Sequence, residues 1–315
     1  MRSAFVKTLT ELAEKDPRIL LLTGDLGFMA LEPFSERFPK RFFNVGVAEQ
    51  NMVGVATGLA ESGFIPFVYS ITPFASLRPY EFIRNGPIAH RLPVRIVGVG
   101  GGFEYGHNGI SHFGLEDIGV MRVQPGITVV APADFEQTRS ALLGSWDLPG
   151  PVYYRIGKDD KTVISGLKGR FELGRAQLIG SGADLLVISM GNITNEAAQA
   201  VEILRGRSIQ STLMVVSSVN PAPVNDLADT LGRFRLAVTV ESHYITGGLG
   251  SMVSEVIAER ALSCKIVRCG VKELPDRISG SQAFLYKRNN LSGEMISDTA
   301  CHALKRPVQY SGEKQ

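Results

Sequence analysis

Tryptophan and cysteine are nearly missing from this chain, which has one Trp and three Cys in 315 residues. Cys264, Cys269 and Cys301 include no Cys-x-x-Cys pair, so the state expected for them is reduced and structural, in a cytoplasmic protein. A charge excess is missing too. Thirty-three basic residues meet 31 acidic ones, and a net charge of +2 gives no argument for a nucleic acid or an anionic membrane as partner. The longest apolar runs are strand-sized, such as Ile19–Leu22, so no transmembrane helix is expected. The N-terminal stretch Met1–Val6 leads into Glu11, Glu14, Lys15 and Asp16 without a long apolar core, which speaks against a secretory signal. No Gly-x-Ser-x-Gly elbow supports a serine nucleophile. His107 and His112 stand five apart on one loop without a paired cysteine or a third histidine nearby, so no metal site is expected.

What is present is alternation. Arg18–Thr23, Arg41–Val45, Phe64–Tyr69, Val94–Val99, Ile127–Ala131 and Val152–Arg155 read as strands, and helical periods lie between most of them. A polar stretch follows, and the alternation restarts with strands at Leu185–Met190, Ser211–Val216, Leu236–Glu241 and Cys264–Arg268. The expected fold is α/β in two domains, each a mostly parallel sheet flanked by helices. Residues 1–160 form the first domain, 161–174 a linker and 175–315 the second. Phe74–His90 reads as one helix, with Arg78, Glu81 and Arg84 spaced for ion pairs along it.

The most informative stretch is Asn44–Ala60. From Val47 onward it is small and apolar, with a single carboxylate, Glu49. Val47, Met52, Val55, Ala56 and Leu59 recur at helical spacing, which predicts a buried helix beginning near Val47. Two readings stand for Glu49. It caps the N–H groups of its own helix, or it is a desolvated proton donor or acceptor. Gly98–Gly102 lacks the following helix and acidic residue of a dinucleotide loop. Gly24-Asp25-Leu26 with Asn51 lacks the second glycine of a magnesium–diphosphate signature. Gly247–Ser251, after Glu241, either binds an anion at a helix start or packs that helix on the sheet. His112, on a glycine-rich loop after a strand, suits substrate contact or proton transfer.

Taken in order, these motifs resemble the transketolases. Asn44–Met52 resembles their Gly-(Ile/Val)-Ala-Glu-Gln-Asn-Met block, and Phe74–Arg84 their Phe-x3-Arg-x-x-Glu-x-Ile-Arg helix. Gly106–His112 is similar to Gly-x-Asp-Gly-x-Thr-His, and Val240–Ser251 to Glu-x-His…Gly-Gly-Leu-Gly-Ser. The resemblance covers the last two of the family's three domains, pyrimidine-binding and C-terminal. It implies one subunit of a split, thiamine diphosphate-dependent transferase of carbohydrate metabolism, moving a two-carbon ketol unit from a ketose (phosphate) to an aldehyde. The partner implied is an N-terminal-section subunit that holds the diphosphate and most of the magnesium (or calcium). The assembly implied is an α2β2 heterotetramer with self-dimerisation.

Residue by residue, the resemblance places Glu49 against N1′ of the aminopyrimidine, with Phe74 stacked on the ring, Ile71 and Leu77 lining its pocket and Asp25 near the cofactor. It places His112 and Asn108 at the donor hydroxyls and Arg155 on a sugar phosphate or carboxylate. The departures lie at the substrate end. Asn108 replaces an aspartate, Met29 stands where a phosphate-contacting serine is usual, and glycines near Gly100 replace a loop histidine. The substrates implied are small sugars or keto acids. Alternatives are a decarboxylating enzyme of the 2-oxo acid dehydrogenase β-subunit or deoxyxylulose phosphate synthase type, and a non-catalytic assembly or regulatory subunit.

Overall fold

In a computed structural model that describes residues 1–275 and 277–305, the chain builds two sheets. The expected second domain extends to Gln315, and residues 306–315 lie outside the described residues. The first six strands are β1 (Ile19–Thr23), β2 (Phe42–Asn44), β3 (Ile65–Ile71), β4 (Arg95–Val99), β5 (Thr128–Val130) and β6 (Val152–Ile156). They are followed by β7 (Gln177–Ile179), β8 (Leu185–Ser189), β9 (Ser211–Val215), β10 (Ser218–Asn220), β11 (Leu236–Tyr244) and β12 (Lys265–Val271). The seven-stranded sheet runs β10-β5-β6-β4-β3-β1-β2 and the five-stranded one β12-β11-β8-β9-β7. Among these strands every pairing is parallel except β10 with β5 and β7 with β9.

Parallel strands covered on both faces require side chains that bury in both directions, hence the unbroken apolar runs. In β1, Leu20 and Leu22 pack toward one core, and Ile19 and Leu21 toward another with Phe5, Leu9 and Phe34. The first of these cores is shared between the sheets. It continues from Leu22, Met52 and Ala56 through Ile118 to Ile188, Met214 and Val253.

Two short antiparallel edge strands, β7 and β10, are not among the expected strands, because Gln177–Ile179 and Ser218–Asn220 mix polar with apolar residues and form no apolar run. β10 follows β9 in the chain yet joins the first sheet, stitching the two halves together. The single helix expected over Phe74–His90 is instead helices Thr72–Ser76 and Tyr80–Ile83 followed by a π-turn over Arg84–Ile88. The expected ion pairs along it give way as well, since Arg78 pairs elsewhere and Glu81 accepts from Asn85.

Candidate active site

Parallel order brings the carboxyl ends of β2, β1, β3 and β4 to one edge, where open α/β sheets gather functional groups. The helix Glu49–Glu61 starts there and carries Glu49 in its first turn. Met52, Val53, Ala56 and Ala60 bury one face of that helix, while Val55 on it and Val47 just before it are exposed, so the buried helix expected near Val47 starts at Glu49 and is buried on one face only. Apolar periodicity registers an apolar face without saying whether this chain covers it.

Glu49 is 1% exposed and does not cap its own helix. Its Oε1 accepts from Ser70 Oγ at 2.9 Å, and its Oε2 accepts from Arg78 Nη1 at 2.8 Å. Ser70 lies near the end of β3, and Arg78 follows the helix that carries Phe74. Gly24, just after β1, keeps the other side of the carboxylate open, since a Cβ there would lie 3.3 Å from Glu49 Oε1. Phe74 is half-buried, with the Arg78 guanidinium carbon 3.9 Å from its ring centroid. The His112 ring meets Phe74 edge-on at 5.0 Å. Burial, and next the positive charge of Arg78, hold the His112 pKa below its ordinary value, so its imidazole is neutral near pH 7.

The site thus has a carboxylate removed from water, a flat aromatic face beside it and a neutral imidazole at its edge. Such a set fits a flat heteroaromatic ring whose nitrogen shares a proton with the carboxylate while the ring stacks on Phe74. Among the described residues, no group of three or more His, Cys, Asp or Glu side chains is arranged to hold a metal ion.

The family model for the transketolase pyrimidine-binding domain matches residues 1–161, and that for the transketolase C-terminal domain matches residues 174–296. The chain belongs to the transketolase family. A putative transketolase C-terminal section from Methanocaldococcus jannaschii is 37% identical over 309 residues, covering 97% of this chain and 96% of that protein. One of the subunits of an apulose-4-phosphate transketolase from Phocaeicola vulgatus is 34% identical over 309 residues, with 97% of each chain covered. A solved structure described as a split gene transketolase, inactive beta4 tetramer, matches with a TM-score of 0.87 at 33% identity, covering 96% of this chain and 97% of that one. The two sheets are thus those of a transketolase's pyrimidine-binding and C-terminal domains.

Within this transketolase section, Glu49, Phe74 and His112 come together, and Ile71 ends the strand that carries Ser70. Leu77 is exposed beyond Phe74. Asp25 sits on the rim in a left-handed turn (φ 58°), where it accepts from Asn44 Nδ2 at 2.8 Å. Asn108 is exposed on the turn that precedes His112.

Arg155 lies inward. It is 3% exposed and donates through Nη2 to the carbonyls of Gly114 and Ser242, each at 2.8 Å, with Asp117 beside it. It ties the His112 loop to the second sheet. The helix start at Leu249 is likewise not open to an outside anion, because Glu241 accepts its Leu249 and Gly250 N–H groups at 2.7 and 2.8 Å. Sequence reasoning missed Ser70 as a partner of Glu49 and assigned Arg78 to its own helix. The signals that could have found them were a serine closing a buried strand run and an arginine four residues after Phe74.

Proposed function

We propose that this chain is the pyrimidine-binding and C-terminal subunit of a split, thiamine diphosphate-dependent ketol transferase. The observation that carries the reading is the Glu49 carboxylate, buried beside the Phe74 face with one oxygen turned toward a stacked planar cation. The cofactor, when bound, supplies the nucleophilic carbon and the electron sink.

This chain's residues do the rest. Glu49 passes a proton between Oε2 and the ring nitrogen, while Ser70 fixes the carboxylate through Oε1. Phe74 stacks on the ring, and Ile71 and Leu77 flank it. His112, neutral at pH 7, takes a proton from a donor hydroxyl, with Asn108 on the same loop. Asp25 orients the rim. A partner chain supplies the magnesium and diphosphate contacts, since Gly24-Asp25-Leu26 lacks the second glycine that close backbone approach to a phosphate requires. A second copy covers the exposed apolar residues Val47, Val55, Leu77 and Phe82, giving an α2β2 assembly.

The experiment is a thiamine- and magnesium-dependent ketol-transfer assay on the lone subunit and on its mixture with the diphosphate-binding partner. Turnover is expected only from the mixture, and Glu49→Ala is expected to lower kcat at least a hundredfold, as loss of a proton-transfer group does. Activity of the lone chain would refute the split arrangement. Undiminished turnover in Glu49→Ala would refute the assigned role.

A further inference from the structure

Arg78 has no task in the chemistry above, and its conformation asks for one. Its side chain is 41% exposed, so water is available to it, yet the guanidinium turns inward. Nη1 donates to Glu49 Oε2 at 2.8 Å, and Cζ stands 3.9 Å from the Phe74 centroid. A guanidinium is a flat, delocalised cation that stacks on aromatic faces and donates in its own plane. A ring lying on Phe74 with a nitrogen sharing a proton with Glu49 would make the same two contacts in the same place.

We propose that Arg78 is an internal stand-in for the cofactor's aminopyrimidine, occupying the seat between Phe74 and Glu49 and withdrawing when the ring enters. The proposal rests on the reading of Glu49 and Phe74 as the pyrimidine seat.

The physical reason lies in Glu49. A carboxylate at 1% exposure with only the Ser70 hydroxyl for company would be a buried, uncompensated charge. Arg78 supplies the missing donor and the opposite charge from the solvent side. It is placed to do so and to leave. It stands beyond the short helix Thr72–Ser76 and ahead of Pro79, on a long stem that already reaches water. When the ring replaces the guanidinium, one proton taken up from solvent is shared between Glu49 Oε2 and the ring nitrogen, so the carboxyl stays paired, and the released cation is rehydrated at little cost. Glu49 therefore stays paired while no ring is present. The consequence is a lowered apparent affinity, because the ring binds only the fraction of molecules in which Arg78 has swung out.

The test is isothermal titration calorimetry of thiamine diphosphate with magnesium into the complex of this chain and its partner, for wild type, Arg78→Ala, Arg78→Lys and Glu49→Ala. If Arg78 holds the seat in about nine molecules of ten, Arg78→Ala binds about tenfold more tightly. Arg78→Lys keeps charge and reach but not the plane, and is expected to fall between. An Arg78→Ala Kd within twofold of wild type, or weaker, overturns the proposal. Glu49→Ala separates the two ideas. If it leaves Kd unchanged, the seat itself is wrongly assigned. If it weakens binding while Arg78→Ala does not tighten it, only the stand-in fails. Should Arg78→Ala not assemble with the partner, Arg78→Gln carries the test, with at least threefold tightening expected and an unchanged Kd overturning the proposal.

Discussion

Glu49 and Glu104 are both carboxyls taken out of water, and the fold compensates them differently. Glu49 receives a hydroxyl and a guanidinium. Glu104 accepts the Lys158 N–H at 2.9 Å through Oε1, while its Oε2 is sealed from water. Burial pushes its pKa up from 4.5 to about 7, against the opposing pull of the Lys158 N–H. The folded chain therefore holds this proton more tightly than the unfolded chain does. Its contribution to stability is complete below pH 4.5 and is lost as pH rises through about 7. The size is on the order of 3 kcal/mol. Glu104→Gln stays neutral throughout. Melting curves at pH 5 and pH 8 are expected to show the wild type losing several degrees over this interval and the variant losing less. Glu241, also pushed up to about 7 by burial, keeps the variant from becoming flat. An equal loss in both proteins would remove Glu104 from the account.

The segment after β3 shows how an element's breaks place a side chain. Pro79 has no N–H to return to the carbonyl four residues back, and Pro87 repeats the interruption inside the π-turn. The helix expected to run straight from Phe74 to His90 is cut at Leu77–Arg78, and Arg78 is freed to reach Glu49 on a different helix. On that helix, Glu49–Glu61, the exposed face carries Val55, and a Cβ at Gly54 would lie 3.9 Å from Phe82, so the apolar surfaces of the two segments adjoin. Val55→Asp places a charge in the centre of that joint patch. It is expected to leave monomer stability within about 0.5 kcal/mol, as exposed substitutions do. It is also expected to reduce the molar mass of the protein in light-scattering chromatography. An unchanged mass would show that the patch is not where copies meet.

Across the whole molecule, the two halves are held by interior contacts. β10 crosses into the first sheet, Gly119 N–H donates to His243 Nε2 at 3.1 Å, and Arg155 spans from β6 to the Ser242 carbonyl. Gly102, at the start of the His112 loop, packs against Ser242 of the second sheet. It has φ +67°, and a Cβ there would overlap Ser242 Oγ. Gly102→Ala is expected to cost roughly 2–4 kcal/mol, from a left-handed backbone and overpacking together. Urea unfolding checks this through a lower midpoint, and a wild-type midpoint would show that the loop yields freely. The fold class, most strands of both sheets, and the grouping of Glu49, Phe74 and His112 were legible in the sequence. Buried parallel strands must be written as continuous apolar runs, and motif residues keep their order along the chain. The partners of Glu49, the inward burial of Arg155, the antiparallel edge strands and the exposed face of the Glu49 helix were decided only by tertiary structure. Each depends on which segments meet across long sequence separations, and no local period or spacing encodes that.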